Sequence, residues 1–158
     1  MEMIIIAAMS ENRVIGKDNA LPWSLKPDME HFRKLTLGWP CIMGRKTWEA
    51  LPRRPLPGRP NIVLSHSLPA ASLPDATIFP SLGEAIKHCS RYEKIFICGG
   101  ATIYSEALGF ADKIELTVLH SNYEGDVFFP EINPAQWKIT WTDDFDGFSF
   151  ISYSRISA

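Results

Sequence analysis

Apolar residues recur along this chain in two rhythms. Met3-Ile4-Ile5-Ile6-Ala7-Ala8-Met9 is an unbroken apolar run rich in β-branched side chains. Such a run predicts a strand buried on both faces, central in a mostly parallel sheet. Cys41 to Met43, Ile62 to Leu64, Thr77 to Phe79 and Lys94 to Cys98 read as shorter strands. Between Lys113 and His120, Ile114, Leu116 and Val118 alternate with Glu115 and Thr117, which predicts another strand. The tail reads as a closing antiparallel hairpin: Trp137 to Thr142, a turn at Asp143 to Gly147, then Phe148 to Ile156. Helical spacing appears after Pro27, from Arg45 through Leu51, after a capping Ser81, and from the Gly99-Gly100 pair through Leu108. These elements predict an α/β fold. A central, mostly parallel, twisted sheet of about eight strands would end in the hairpin and be flanked by about four helices, all in one domain spanning residues 1–158.

One polar residue breaks the first helical pattern. Winding Leu25 to Thr36 at about 100° per residue gathers Leu25, Asp28, Met29, Phe32, Leu35 and Thr36 into an arc of roughly 120°. That arc should be buried, and Asp28 is its only charged member. A carboxylate removed from water costs several kcal/mol unless a charge or a hydrogen bond meets it. No Arg or Lys shares the arc, so another segment or a ligand must supply the partner. The plainer reading is an Asp complementing the helix dipole from the first turn.

Other candidate chemistry lies where strands meet helices or loops. The 15-or-so residues from Ser10 to Leu25 form a long connection with apolar Val14, Ile15 and Gly16 near its tip, which reads as a lid above the first strand. Gly44-Arg45-Lys46-Thr47 puts two cations and a hydroxyl at a helix start, where free N–H groups favour anions. It is not a P-loop, because Trp39 stands where the first Gly belongs and Arg45 where the Lys belongs. Gly99-Gly100, between a strand and a helix, permits close approach of a phosphate, or simply makes a tight turn. The Pro-rich run from Leu51 to Asn61 predicts a stiff, extended frame for Arg59, suited to gripping a carboxylate or merely placing an Arg on the surface. Ser65 and His66 follow a strand end and are candidate anion contacts.

Composition narrows the choices. The chain has 158 residues, 46% hydrophobic and 22% charged, with a net charge of -2 and no basic run, so nucleic acid is not an expected partner. Met3 to Met9 is too short to span a bilayer, and Glu2 replaces the basic start of a signal peptide. Three cysteines without C-x-x-C spacing suggest reduced thiols in the cytoplasm, and the four histidines show no zinc-ligand spacing, so no metal is expected.

Taken in order, these stretches resemble the bacterial chromosomal-type dihydrofolate reductases. The resemblance is carried by Ile6-Ala7-Ala8, Asn12-Arg13-Val14-Ile15-Gly16, Leu21-Pro22-Trp23, Asp28, Phe32 and Ile42-Met43-Gly44-Arg45-Lys46-Thr47, continuing through Leu56-Pro57-Gly58-Arg59, Gly99-Gly100-Ala101-Thr102-Ile103-Tyr104 and Glu124-Gly125-Asp126. It implies hydride transfer from NADPH to C6 of 7,8-dihydrofolate with a proton added at N5. It also implies that folate-analogue inhibitors bind. A monomer is expected because one core suffices and no apolar stripe is left over. By the same resemblance Asp28 pairs with the pterin, supported by Thr117, with Trp23 near the proton path. Ile6, Ala8, Met29, Phe32, Leu51 and Leu56 would line the substrate, and Arg59 would grip the glutamate tail. The cofactor would lie along Ala8, Ile15, Gly16, Asn19 and Leu21, then Gly44, Arg45, Lys46 and Thr47. Ser65 and His66 would join Arg45 at the 2′-phosphate, and Cys98, Gly99, Gly100, Ala101, Thr102, Ile103 and Tyr104 would complete the path. The Gly-Gly bond would be cis, and Asp126 would hydrogen-bond the lid's backbone near Gly16. Pro52-Arg53-Arg54 is a residue longer than the shorter bacterial pattern, which leaves open which arginine flanks the tail. Two other readings stand beside this one: a reductase of the same fold acting on another heterocycle, such as a riboflavin-pathway pyrimidine, and a dinucleotide-binding protein without catalysis.

Overall fold

The computed structural model describes residues 1–16, 25–69 and 72–156. Its centre is β1 (Glu2–Ser10), the apolar run, where Ile4, Ile5, Ile6 and Ala7 are all buried. β1 is paired on both edges by parallel neighbours, β6 (Lys94–Ile97) and β7 (Lys113–Leu119). Beyond β6 lie β3 (Cys41–Gly44), β4 (Asn61–Leu64) and β5 (Thr77–Phe79), all parallel. On the other side β10 (Phe148–Arg155) runs antiparallel to β7 and carries β9 (Trp137–Phe145) at the edge. The eight strands stand in the order β5-β4-β3-β6-β1-β7-β10-β9. This is the mixed, mostly parallel sheet that the apolar runs predict.

The hairpin turn is tighter than its composition suggests. β9 extends to Phe145, leaving only Asp146-Gly147 between the strands. Phe145 and Phe148 face each other in register, and Gly147 takes φ 88°. Gly147 supplies the positive φ that closes the turn within two residues, so acidic Asp143 and Asp144 stay in the ladder rather than in a loop.

The helices among the described residues are α1 (Lys26–Thr36), α2 (Arg45–Ala50), α3 (Leu82–His88) and α4 (Ala101–Ala107). Ser81 caps α3 as its position predicts, its Oγ accepting from the Glu84 amide at 3.2 Å. α1 differs from expectation. Only Thr36 of its apolar arc is buried; Leu25, Asp28, Phe32 and Leu35 are half-buried, and Met29 is 53% exposed. The arc faces a cleft rather than a closed core.

Two loops are also corrected. The connection after β1 contains a short strand, β2 (Val14–Gly16), paired antiparallel with β8 (Val127–Phe128). Residues 17–24 of that connection lie outside the described residues. The Pro-rich run bends repeatedly instead of extending, and its Arg54–Pro55 bond is cis. Asn61 holds it: the side-chain carbonyl accepts from the Leu56 amide at 2.8 Å, and the amide group donates to the Leu56 and Arg59 carbonyls at 3.0 and 2.7 Å.

Candidate active site

Asp28 leaves the first turn of α1 and meets β7. The Thr117 hydroxyl donates to Asp28 Oδ1 at 2.6 Å, and Thr117 is itself buried. Ala8 stands directly beside Thr117 in the β1–β7 ladder, and Ile6 stands two residues down the same face. Burial pushes the Asp28 carboxyl up from its ordinary value, while the Thr117 hydrogen bond pulls it down. Among the described residues no cation pairs with it. Among the described residues the carboxylate therefore has one hydroxyl for company, on Oδ1, and Oδ2 faces no hydrogen-bond donor.

An apolar wall continues from Asp28. Phe32, one turn along α1, packs with Ile4, Ile6, Leu51, Leu56 and Cys98 around one cluster. Met29 lies on the open side of that wall. At its far end is Arg59, buried at 9% exposure with its guanidinium 5.8 Å from the Phe32 ring centroid. Nε donates to the Pro57 carbonyl and Nη1 to the Thr36 hydroxyl, each at 2.9 Å. Burial lowers the Arg59 pKa, yet the group makes no ion pair among the described residues. A carboxylate at one end and an unpaired guanidinium at the other, with an apolar wall between, suit a flat molecule with an amidine-like head and an anionic tail.

The second half of the site is built where β3 and β6, neighbours in the sheet, both turn into helices. The Gly44 amide donates to the Gly99 carbonyl at 2.9 Å, locking the two turns together. A methyl group on Gly44 would meet Ile103 Cδ1 at 3.0 Å, and one on Gly99 would come 3.3 Å from Tyr104 Oη and 3.4 Å from Thr47 Oγ1. Thr47 Oγ1 is also the nearest neighbour of Gly100. The Gly99–Gly100 bond is cis and Gly99 has φ 120°. Ala101, Thr102 and Ile103 then form the first turn of α4, and the buried Tyr104 hydroxyl donates to the Ile6 carbonyl at 2.7 Å, tying this half to β1. The two helix starts thus present free amide groups side by side, flanked by exposed Arg45 and Lys46.

Gly44 faces Leu64 across the β3–β4 ladder, so Arg45 and Ser65 leave adjacent strand ends. Ser65 Oγ accepts from the Ser67 and Leu68 amides at 3.3 and 3.2 Å and shares a hydrogen bond with the Ser67 hydroxyl at 3.4 Å, and His66 is exposed beside it. Ile15 and Gly16 lie in β2, where the Asp126 amide donates to the Gly16 carbonyl at 3.1 Å. This bond belongs to the Asp126 main chain, next to the β2–β8 ribbon. Asn19, Leu21 and Trp23 lie outside the described residues.

Three contributors were not singled out by the sequence for these roles. Thr36 appears there only as a member of the apolar arc, yet it holds Arg59. Asn61 staples the loop that carries Arg59, and the sole signal was an Asn opening a buried strand. Gly125 packs so closely on β2 that a methyl there would lie 2.6 Å from the Gly16 carbonyl oxygen.

Comparison with known proteins agrees with this geometry. A family model described as dihydrofolate reductase matches residues 2–155. The dihydrofolate reductase of Bacillus subtilis (strain 168) is 44% identical over 134 residues, 85% of this chain and 79% of that protein. That of Neisseria gonorrhoeae is 44% identical over 138 residues, 87% of this chain and 85% of the relative. Among solved structures, the Enterococcus faecalis dihydrofolate reductase complexed with NADP(H) and RAB-propyl superposes with a TM-score of 0.88 at 31% identity, covering 99% of this chain and 97% of the other. On the strength of these matches and of the fold they share, the chain belongs to the dihydrofolate reductase family.

Proposed function

We propose that this reductase receives the pteridine ring of 7,8-dihydrofolate on Asp28, packs the aminobenzoyl group against Phe32, Leu51 and Leu56, and holds the glutamate carboxylate on Arg59. The reaction is reduction to 5,6,7,8-tetrahydrofolate, with hydride delivered to C6 and a proton to N5. The observation that supports this placement is Asp28: a carboxyl raised by burial, lacking a cation among the described residues, on the wall of an apolar cleft. A pteridine offers a ring N–H and an amino group to such a carboxylate, and charge-assisted pairing in a poorly solvated cleft is strong. The ionised form is then stabilised by the ligand, which also fixes the ring's orientation above Ile6 and Ala8. Thr117, whose only hydroxyl proton is committed to Asp28, acts by holding that carboxyl in place.

The cofactor half fits a dinucleotide phosphate. A Cβ at Gly44 would crowd Ile103, so the two glycine turns pack closely and bring the starts of α2 and α4 together, where helix-start amides favour an anion. Thr47, Lys46 and the start of α4 would hold the pyrophosphate, and Arg45, Ser65 and His66 the 2′-phosphate that distinguishes NADPH from NADH. NADPH supplies the hydride when bound. Ala8, Ile15, Gly16, Asn19, Leu21, Cys98 and Tyr104 complete the proposed cofactor path, and the Ser10 to Leu25 connection acts as the lid that excludes water. Trp23 belongs to the proposed proton path to N5. One continuous eight-stranded sheet supports reading residues 1–158 as a single domain, taken to act as a monomer, and three free cysteines support a cytoplasmic enzyme.

The direct test mixes the protein with NADPH and dihydrofolate and follows the loss of reduced-nicotinamide absorbance, with Asp28→Asn alongside. The parent is expected to turn over and the variant to fold but lose most of its turnover at neutral pH. Near-parental turnover by Asp28→Asn would remove Asp28 from the role given to it here.

A further inference from the structure

Arg59 is one of the few charged groups buried in this protein, and its orientation is set from two sides. Nε is committed to the Pro57 carbonyl and one Nη1–H to the Thr36 hydroxyl. A guanidinium carries five N–H groups. Both hydrogens on Nη2 and the second on Nη1 have no partner among the described residues, so the Nη1/Nη2 end of the fork is the end left for an anion. The Nε side is closed to bidentate pairing.

Thr36 decides this because of how its own proton is used. Its Oγ1 donates to the Phe32 carbonyl one turn back in α1, at 2.7 Å. With its single proton so placed, the hydroxyl can only accept from Arg59. The helix does not need this side chain for its own closure, since the Leu37 amide already caps α1 on the Arg33 carbonyl. Thr is also a poorer helix former than the straight-chain residues, and at a fully buried position Val would fill the same volume. What Val lacks is an acceptor for the guanidinium. Thr36 is fully buried, so the contact is enclosed by the core.

We infer that Thr36 is a positioning residue for substrate recognition: its hydroxyl holds the Arg59 fork end-on toward the tail carboxylate, and so sets the preference for substrates that carry a glutamate tail over pterins that do not. The inference rests on the proposed reading of Arg59 as the tail anchor. Thr36 touches neither substrate nor reacting atoms, so its removal is expected to act on one kinetic constant for one class of substrate.

The test compares KM and kcat for dihydrofolate and for a 7,8-dihydropterin lacking the aminobenzoyl-glutamate tail. The variants are Thr36→Val, Thr36→Ser and Arg59→Leu. For Thr36→Val, KM for dihydrofolate is expected to rise about tenfold, equivalent to about 1.4 kcal/mol, with KM for the tail-less pterin and both kcat values within about twofold of the parent. Thr36→Ser, which keeps the acceptor, is expected to behave as the parent toward both. KM does not depend on the fraction of folded enzyme, so a loss of stability in Thr36→Val does not blur the comparison. Equal shifts for both substrates, or a fall in kcat with KM unchanged, would overturn the role of Thr36. If Arg59→Leu itself leaves the preference for the tail intact, the anchor reading fails and this inference with it. If Arg59→Leu abolishes the preference and Thr36→Val does not, only the inference about Thr36 fails.

Discussion

Replacing Gly125 by Ala tests how the base of the proposed lid is held. Gly125 lies in the loop before β8 and packs on β2, whose Val14 is fully buried. A methyl at position 125 would be 2.6 Å from the Gly16 carbonyl oxygen, and it would collide with Val14 Cγ1 as well. That is about 0.8 Å short of ordinary contact with the oxygen, and the oxygen belongs to backbone that cannot rotate away. Val14 is fully buried, so relief requires β2 and β8 to separate. Separation breaks the 3.1 Å hydrogen bond from the Asp126 amide to Gly16 and strains the Val14–Phe128 pairing. Overpacking costs about 1–3 kcal/mol, and a lost backbone hydrogen bond adds roughly 0.5–1.5 kcal/mol. β2 and β8 form a peripheral two-stranded ribbon, so part of this is absorbed by local detachment. The expected loss of global stability is therefore about 1–3 kcal/mol. Urea unfolding should show a lower midpoint with an unchanged slope. The same displacement moves Ile15 and Gly16, so single-turnover hydride transfer should slow while the affinity for dihydrofolate changes little. A Gly125→Ala protein with the parent's urea midpoint and the parent's hydride-transfer rate would show that this contact neither braces the ribbon nor sets the lid.

Asp28→Asn should lose turnover yet gain stability at neutral pH. Burial raises the Asp28 carboxyl, so the folded state binds its proton more readily than the unfolded chain does. The associated stability is present below the ordinary carboxyl value and is lost as pH rises through the folded value. Thermal melts of parent and variant should separate in the variant's favour as pH rises from acid to neutral, and converge in acid; a variant that melts below the parent at neutral pH would contradict this. Arg59→Leu should raise KM for dihydrofolate by roughly tenfold or more, by loss of a charge-assisted contact, with a much smaller effect on a tail-less pterin; equal effects would take Arg59 out of the site. Asn61→Ala removes three hydrogen bonds to the backbone of the loop that carries Arg59, and should cost about 2–4 kcal/mol in a urea titration. A loss under 1 kcal/mol would mean that the loop holds its bends without it.

How far the sequence could be read depended on whether a feature is local. β1 was legible because a short apolar run rich in β-branched residues favours a buried strand over a helix, and the capped start of α3 because Ser81 acts on an amide three residues away. The site's chemistry was legible at Asp28, where one charge interrupts an apolar arc, and at the Gly-Gly and Gly-Arg-Lys-Thr turns, where strand gives way to helix. That these two turns lock together through Gly44 and Gly99 depends on β3 and β6 being neighbours, which no local pattern states. The partnership of Thr36 with Arg59 joins residues 23 apart in the chain, and Thr117 reaches Asp28 across 89. The helical arc also suggested burial where the structure has a cleft. An apolar stripe looks the same whether a core or a ligand is to cover it.

The central claim is that burial raises the Asp28 carboxyl from its ordinary value, and that a bound pteridine reverses the shift. Carbon-detected NMR of that carboxyl, titrated in the free protein and again with a 2,4-diaminopteridine bound, measures this directly. The account predicts titration above the ordinary aspartate value in the free protein and a clear downward displacement when the protonated base is bound. A carboxyl that titrates like an exposed aspartate in the free protein, or whose titration the ligand leaves untouched, would contradict it.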